Sequence, residues 1–186
     1  MIRPLVSLHH AVFNAIQTHL AGWLPGLMAR FTFAAVLMVY YLNSATTKVG
    51  EGLAGFFSVQ DGAYFQMLPK VVELYDYDAS QIPVVPYQLI VYAGTYGEFI
   101  LPVLIVVGLF TRIAAVGMIG FVFVQSIVDI TGHHADAETI GAWFDRFSDA
   151  TILDQRAMWV FLLLYLVVYG AGKLSLDQVF ASNRRD

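Results

Sequence analysis

The chain has no cysteine. That excludes disulfides, thiol nucleophiles, Cys-ligated zinc and thiolate-bound iron–sulfur clusters. Charge is also scarce. Only 13% of the 186 residues are Asp, Glu, Lys or Arg, against about 25% in a soluble domain. The net charge of −4 is mild and excludes a basic nucleic-acid-binding surface. Walker loop, dinucleotide fingerprint and hydrolase triad are all missing. No histidine lies inside a long apolar run, which argues against haem held between helices. What the chain has instead is apolar residues, at 58% of the total, with a mean hydropathy of +0.66. The length suits one domain.

Four runs are long enough to cross a bilayer, which takes about 20 mostly apolar residues. They cover approximately 27–47, 87–110, 113–130 and 152–170. The expected fold is therefore all-α, an integral membrane four-helix bundle over residues 27–177. Arg112 between the second and third runs marks a tight hairpin at the membrane surface. Residues 1–26 form an arm in which Leu5, Leu8, Val12, Ile16 and Leu20 share one helical face. This reads as an amphipathic helix lying in the interface, with Trp23 in the aromatic belt. Residues 52–57, 63–75 and 138–147 are expected to make short interfacial helices capping the other face. Residues 178–186 form a tail.

Basic residues divide six to four. Arg3, Arg30, Arg112, Lys173, Arg184 and Arg185 fall on the side of the termini, and Lys48, Lys70, Arg146 and Arg156 on the side of the long loops. The positive-inside rule then puts both termini in the cytoplasm. Ten acids lie on the loop side, in agreement. A bacterial inner-membrane protein, multi-pass with N-in and C-in topology, is the expectation.

Glu98 is the residue that asks for a function. It sits in an otherwise uncharged spanning run, where a charge near the middle costs about 2.5 to 3.5 kcal/mol. Four residues on, Pro102 frees the Glu98 carbonyl from its helical bond. Gly94 and Gly97 leave room for a neighbouring helix. At 1.5 Å per residue Glu98 lies about 16 Å below the loop-side end of its helix. Tyr40, Tyr41 and Tyr165 fall at that depth and are the expected hydrogen-bond partners. No basic residue does, so a neutral or water-paired carboxyl is expected. The structural alternative, a kinked packing helix with a satisfied carboxyl, stands on equal terms with a proton relay or ligand-binding group.

A second cluster gathers at the loop-side rim. Asn43 and Lys48 end the first helix; Gln125, Asp129 and His133, spaced by four, share one face at the end of the third. A Lys48–Asp129 pair is expected there. Arg30 and Arg112 mark the opposite ends, as membrane anchors or as a clamp for a phosphate headgroup or other anion. His133, His134, Asp136 and Glu138 match no zinc signature, so no metal site is assigned.

The chain resembles the DoxX family over residues 30–177. The resemblance rests on Arg30 followed by Lys48, on Gly55-Phe56-Phe57, on Glu98 followed by Gly108-Leu-Phe-Thr-Arg112, and on Gly170-Ala-Gly-Lys-Leu-Ser-Leu-Asp177. Ala171 stands where family members carry proline. The resemblance implies a four-helix inner-membrane protein that accompanies an oxidoreductase. Any reaction would then need partners, and whether the chain is an enzyme stays open. From it we expect a quinone or similar apolar ligand in a bundle cavity beside Glu98, with Lys48 and Asp129 at the mouth and no cofactor built into the chain. Membrane lipid, a soluble or exported partner and a homo-oligomer are further expected partners. A non-catalytic scaffold recruiting a metal-handling partner is the alternative, and a small-solute transporter a weaker one.

Overall fold

A computed structural model describes residues 2–183. The last residues of the tail, 184–186, with Arg184 and Arg185, lie outside the described residues. Among the described residues the secondary structure is helical, apart from one isolated bridge between Val49 and Val59. In chain order the helices are α1 (Ile2–Leu20), α2 (Leu24–Thr46), α3 (Gly52–Gly55), α4 (Asp61–Met67), α5 (Pro69–Leu74), α6 (Val84–Val107), α7 (Thr111–Thr131), α8 (Ala137–Ile140), α9 (Thr151–Tyr169) and α10 (Leu176–Ser182). Helices α2, α6, α7 and α9 are long and apolar enough to cross a membrane. Their ends differ from the sequence expectation by a few residues. Four crossings put α1, the α6–α7 turn and α10 on one face, here called the terminal face. Helices α3 to α5 and α8 lie on the loop face.

Each spanning helix buries one stripe at helical spacing. On α2 it is Ala29, Phe33, Leu37, Tyr41 and Ala45; on α6, Val91, Thr95, Glu98, Pro102 and Ile105. Helix α7 buries Thr111, Ala114, Ala115, Met118 and Val122, and α9 buries Arg156, Leu163 and Leu166. These stripes make the main core. The remaining faces expose Val36, Val39, Ile100, Val116, Phe123, Phe161 and similar residues, as helices against lipid do.

A second, smaller core joins the loop-face helices to the upper half of α6. It is built from Ala63, Tyr64, Val72, Ala79, Ile82 and Val91. Helix α6 therefore projects past the end of α2, and a cap rather than another spanning helix covers it there. A Cβ on Gly94 would come within 2.8 Å of Met67 Sδ on α4, so that glycine admits the cap and not a second spanning helix.

The terminal face is closed by tight turns. Gly108, at φ +73°, ends α6, and its N–H and that of Leu109 return to Leu104, a glycine C-cap. Asp177 then accepts the Phe110 and Thr111 N–H groups at 2.7 and 3.0 Å. A carboxylate at the start of α7 suits the positive end of the helix dipole. Helix α1 stands apart with Leu5, Leu8, Val12, Phe13 and Ile16 exposed.

Candidate functional site

The buried polar groups of the bundle form two clusters. In the first, Lys48 Nζ lies 2.8 Å from Glu98 Oε2. The two residues are 2% and 4% exposed. The lysine also donates to the Ser44 carbonyl at 3.1 Å and to Ser44 Oγ at 2.6 Å, and Ser44 Oγ donates to Glu98 Oε1 at 3.2 Å. All three ammonium hydrogens thus have acceptors, and one hydroxyl ties cation and carboxylate into a ring.

This corrects two expectations. Glu98 has a charged partner, and Lys48 does not pair with Asp129. The depth estimate failed because it set the loop-side ends of α2 and α6 level. Glu98 comes nine residues after Leu89, where regular α-helix begins in α6, about 14 Å of helix. The projection of α6 past α2 cancels that depth, and the flexible lysine stem covers the rest. Tyr40, Tyr41 and Tyr165 are not the hydrogen-bond partners of Glu98. Tyr165 stacks on Tyr169, ring centroids 4.8 Å apart.

The chain after Lys48 folds back over the pair. The Lys48 carbonyl accepts the Gln60 N–H at 2.9 Å, and Gly50 N–H is shared between the Gly55 and Ser58 carbonyls. Tyr96 Oη donates to the Phe56 carbonyl at 3.0 Å. The Phe56 ring lies 5.6 Å from Tyr96 and 5.1 Å from Phe99, two residues before and one after Glu98 in sequence. Thr95, one turn from Glu98 on the same buried stripe, has a fully buried hydroxyl with no hydrogen-bond partner in the structure.

The second cluster centres on Arg156, which by sequence counts only among the loop-side basic residues. It is buried at the start of α9 and bonds Asp129 Oδ2 at 2.5 Å and Ser126 Oγ at 2.9 Å. Gln125 donates to Tyr40 Oη at 2.7 Å and accepts from Tyr41 Oη at 3.5 Å. The Trp159 ring lies tilted against Tyr40 and edge-on to Tyr41. The spacing Arg156, Leu163, Leu166 on one apolar stripe was the available signal for this arginine.

The other expected residues lie outside these two clusters. His133 Nε2 meets the Gln66 carbonyl at 2.9 Å, joining α7 to the cap. Asn43 is exposed on the bundle exterior. Arg30 is buried and spends its guanidinium on the carbonyls of Val106, Ala171 and Leu174, so it does not clamp an anion with Arg112. Arg112 is exposed at the terminal face.

Four apolar spanning helices, with a lysine–glutamate pair buried between two of them, define a polytopic helical membrane protein. The DoxX family model matches residues 26–129, more than half of the chain, and the chain belongs to that family. The match holds Arg30, Lys48, Glu98 and Arg112 and ends before α9. No curated protein and no solved structure matches the chain.

Proposed function

We propose that this DoxX-family protein is a quinone-interacting accessory subunit of a membrane oxidoreductase system, with Lys48, Ser44 and Glu98 as its ligand site. One observation carries the reading: a charge pair buried between the loop-side end of α2 and α6. Such a pair contributes little to stability, because desolvation offsets its attraction, and ionisable residues buried in a spanning bundle mark ligand or proton pathways. The residues suit a quinone. The unpartnered Thr95 hydroxyl is a donor for one carbonyl oxygen, Lys48 would donate to the other by exchanging a Ser44 bond for the ligand, Glu98 would exchange protons, and Phe56 and Phe99 would be apolar walls. The quinone would supply the redox chemistry; the chain would bind it, shield it from water and hold the proton at Glu98. Electrons would come from a partner oxidoreductase. We place the protein in the bacterial inner membrane with both termini cytoplasmic, so that the site opens toward the outer side beneath the cap.

The test is purification in nanodiscs with mass spectrometry of the co-purifying small molecules. Wild type should retain a quinone near one per chain, and Glu98→Gln, close in shape, should lose at least nine-tenths of it. Equal quinone in the two proteins, both eluting as folded, rules the site out.

A scaffold reading is favoured by a different feature. Trp143, Phe144 and Phe147 are exposed in the acid-bearing loop after α8, and Phe144 has a positive φ of 66°. Such a patch suits a docked soluble or exported protein. Glu138→Gln with Asp145→Asn should then weaken a salt-sensitive pull-down, and an unchanged pull-down counts against docking here.

A further inference from the structure

A cleft of about 560 Å³ opens on the terminal face, away from the Lys48–Glu98 site. Its walls include Gly22, Phe110, Arg112, Tyr169, Lys173 and Asp177. Two features distinguish it from an ordinary surface groove. Its charge is asymmetric: Arg112 and Lys173 are exposed, whereas both oxygens of the single carboxylate, Asp177, are taken by backbone N–H groups. Its rim is apolar, with Phe110, Ile113 and Tyr169 all exposed.

The cleft is also rigidly built. Arg30 holds the carbonyls of Ala171 and Leu174 from beneath. The Lys173 N–H donates to the Gly22 carbonyl at 3.1 Å. A Cβ on Gly26 would come within 2.7 Å of the Ala171 backbone, so the turn after α9 presses directly on α2. Gly22 belongs to the joint between α1 and α2, and the cleft therefore lies where the amphipathic helix meets the bundle.

We propose that this cleft holds the headgroup of an anionic phospholipid. Arg112 and Lys173 would bind the phosphate, the guanidinium through its planar fork and the ammonium as a point charge. The acyl chains would descend along Phe110, Ile113 and Tyr169 on the lipid-facing sides of α7 and α9. Two cations beside exposed apolar residues, at the level where the spanning helices end, fit a lipid and not a free anion. Because the lipid would also contact the α1–α2 joint, it would fix α1 in the interface.

Native mass spectrometry of the full chain, released from nanodiscs of phosphatidylcholine with phosphatidylglycerol, tests this. Wild type should retain phosphatidylglycerol in preference to phosphatidylcholine. A basic residue near a lipid surface contributes about fivefold in affinity, so Arg112→Gln or Lys173→Gln alone should lower retention about fivefold and the pair about thirtyfold. Arg112→Lys should keep most of it. Should the double variant fail to fold, the single variants and the lipid preference of wild type decide. Equal retention of the two lipids by wild type, or unchanged retention in both single variants, overturns the proposal. Displacement of the lipid by millimolar inorganic phosphate also overturns it, in favour of a free-anion site.

Discussion

At the scale of the residue, Lys48 and Glu98 obey the asymmetry of buried charge pairs. Removing one partner strands the other in an apolar medium, at a cost of about 3 to 5 kcal/mol, while replacing both with apolar residues of similar volume is often neutral. Lys48→Met should therefore lower thermal stability sharply, and Lys48→Met with Glu98→Leu should recover most of the loss. Melting of the detergent-solubilised protein, followed by size exclusion, reads this out. A double variant as unstable as the single one would mean that the pair itself stabilises the fold. With recovery, loss of quinone in the double variant separates the role in binding from the role in folding. Glu98 as a special residue was legible from its setting in an uncharged run. Its partner was not, because spacing along a helix reports depth only when neighbouring helices end at the same level. The inward role of Arg156 was hidden for a related reason. A basic residue at the start of a spanning run looks like loop, and only its position on the α9 stripe says that it points inward.

At the scale of the element, the helix ends hold the structure's most specific instructions. Gly108 ends α6 in a left-handed conformation, and a Cβ there would lie 2.6 Å from Ser175 Cβ and 3.0 Å from Arg30 Nη1. Gly108→Ala combines backbone strain of about 1 kcal/mol or more with displacement of the Arg30 guanidinium. It should destabilise the protein by about 2 to 4 kcal/mol and raise hydrogen exchange across residues 171–177. On the loop face, Asp136 caps α8 by accepting the Thr139 N–H at 2.7 Å. Hydrogen bonds from the Thr139 backbone and hydroxyl hold this exposed carboxyl below its usual range. A depressed carboxyl supports the folded state fully above the unfolded value, about 3.9, and loses that support as pH falls through the lower folded value. Exchange of the Thr139 amide, corrected for its intrinsic pH dependence, should rise only below about pH 4. A rise beginning near neutrality would assign it to another group. The spans were legible because length and apolarity decide them. The exact clasp of Arg30 was not, since its acceptors are backbone carbonyls that any sequence supplies.

At the scale of the whole molecule, the terminal face is bound by turns and the loop face by a cap. On the terminal face Arg30, Asp177 and the glycine turns leave little freedom. On the loop face, the segment after Lys48 is secured by its own backbone bonds and by one side-chain latch from a spanning helix, Tyr96 to the Phe56 carbonyl. The sequence suggested a cap through its aromatic residues, but not that the cap stands in for a helix beside the upper half of α6. On the proposed reading, a ligand reaching Lys48 and Glu98 from this side would pass Phe56, and the latch would govern entry. Tyr96→Phe removes the hydroxyl and keeps the ring, costing about 1 kcal/mol. That should open the segment about fivefold more often, seen as faster exchange of the Gly50, Ser58 and Gln60 amides with global melting nearly unchanged. On the proposed reading quinone should then enter and leave faster in proportion, while its occupancy at equilibrium falls little, because the variant keeps the Phe56 and Tyr96 rings and every polar group of the site. Faster amide exchange without faster ligand exchange would place the route elsewhere, between the spanning helices and directly from the lipid.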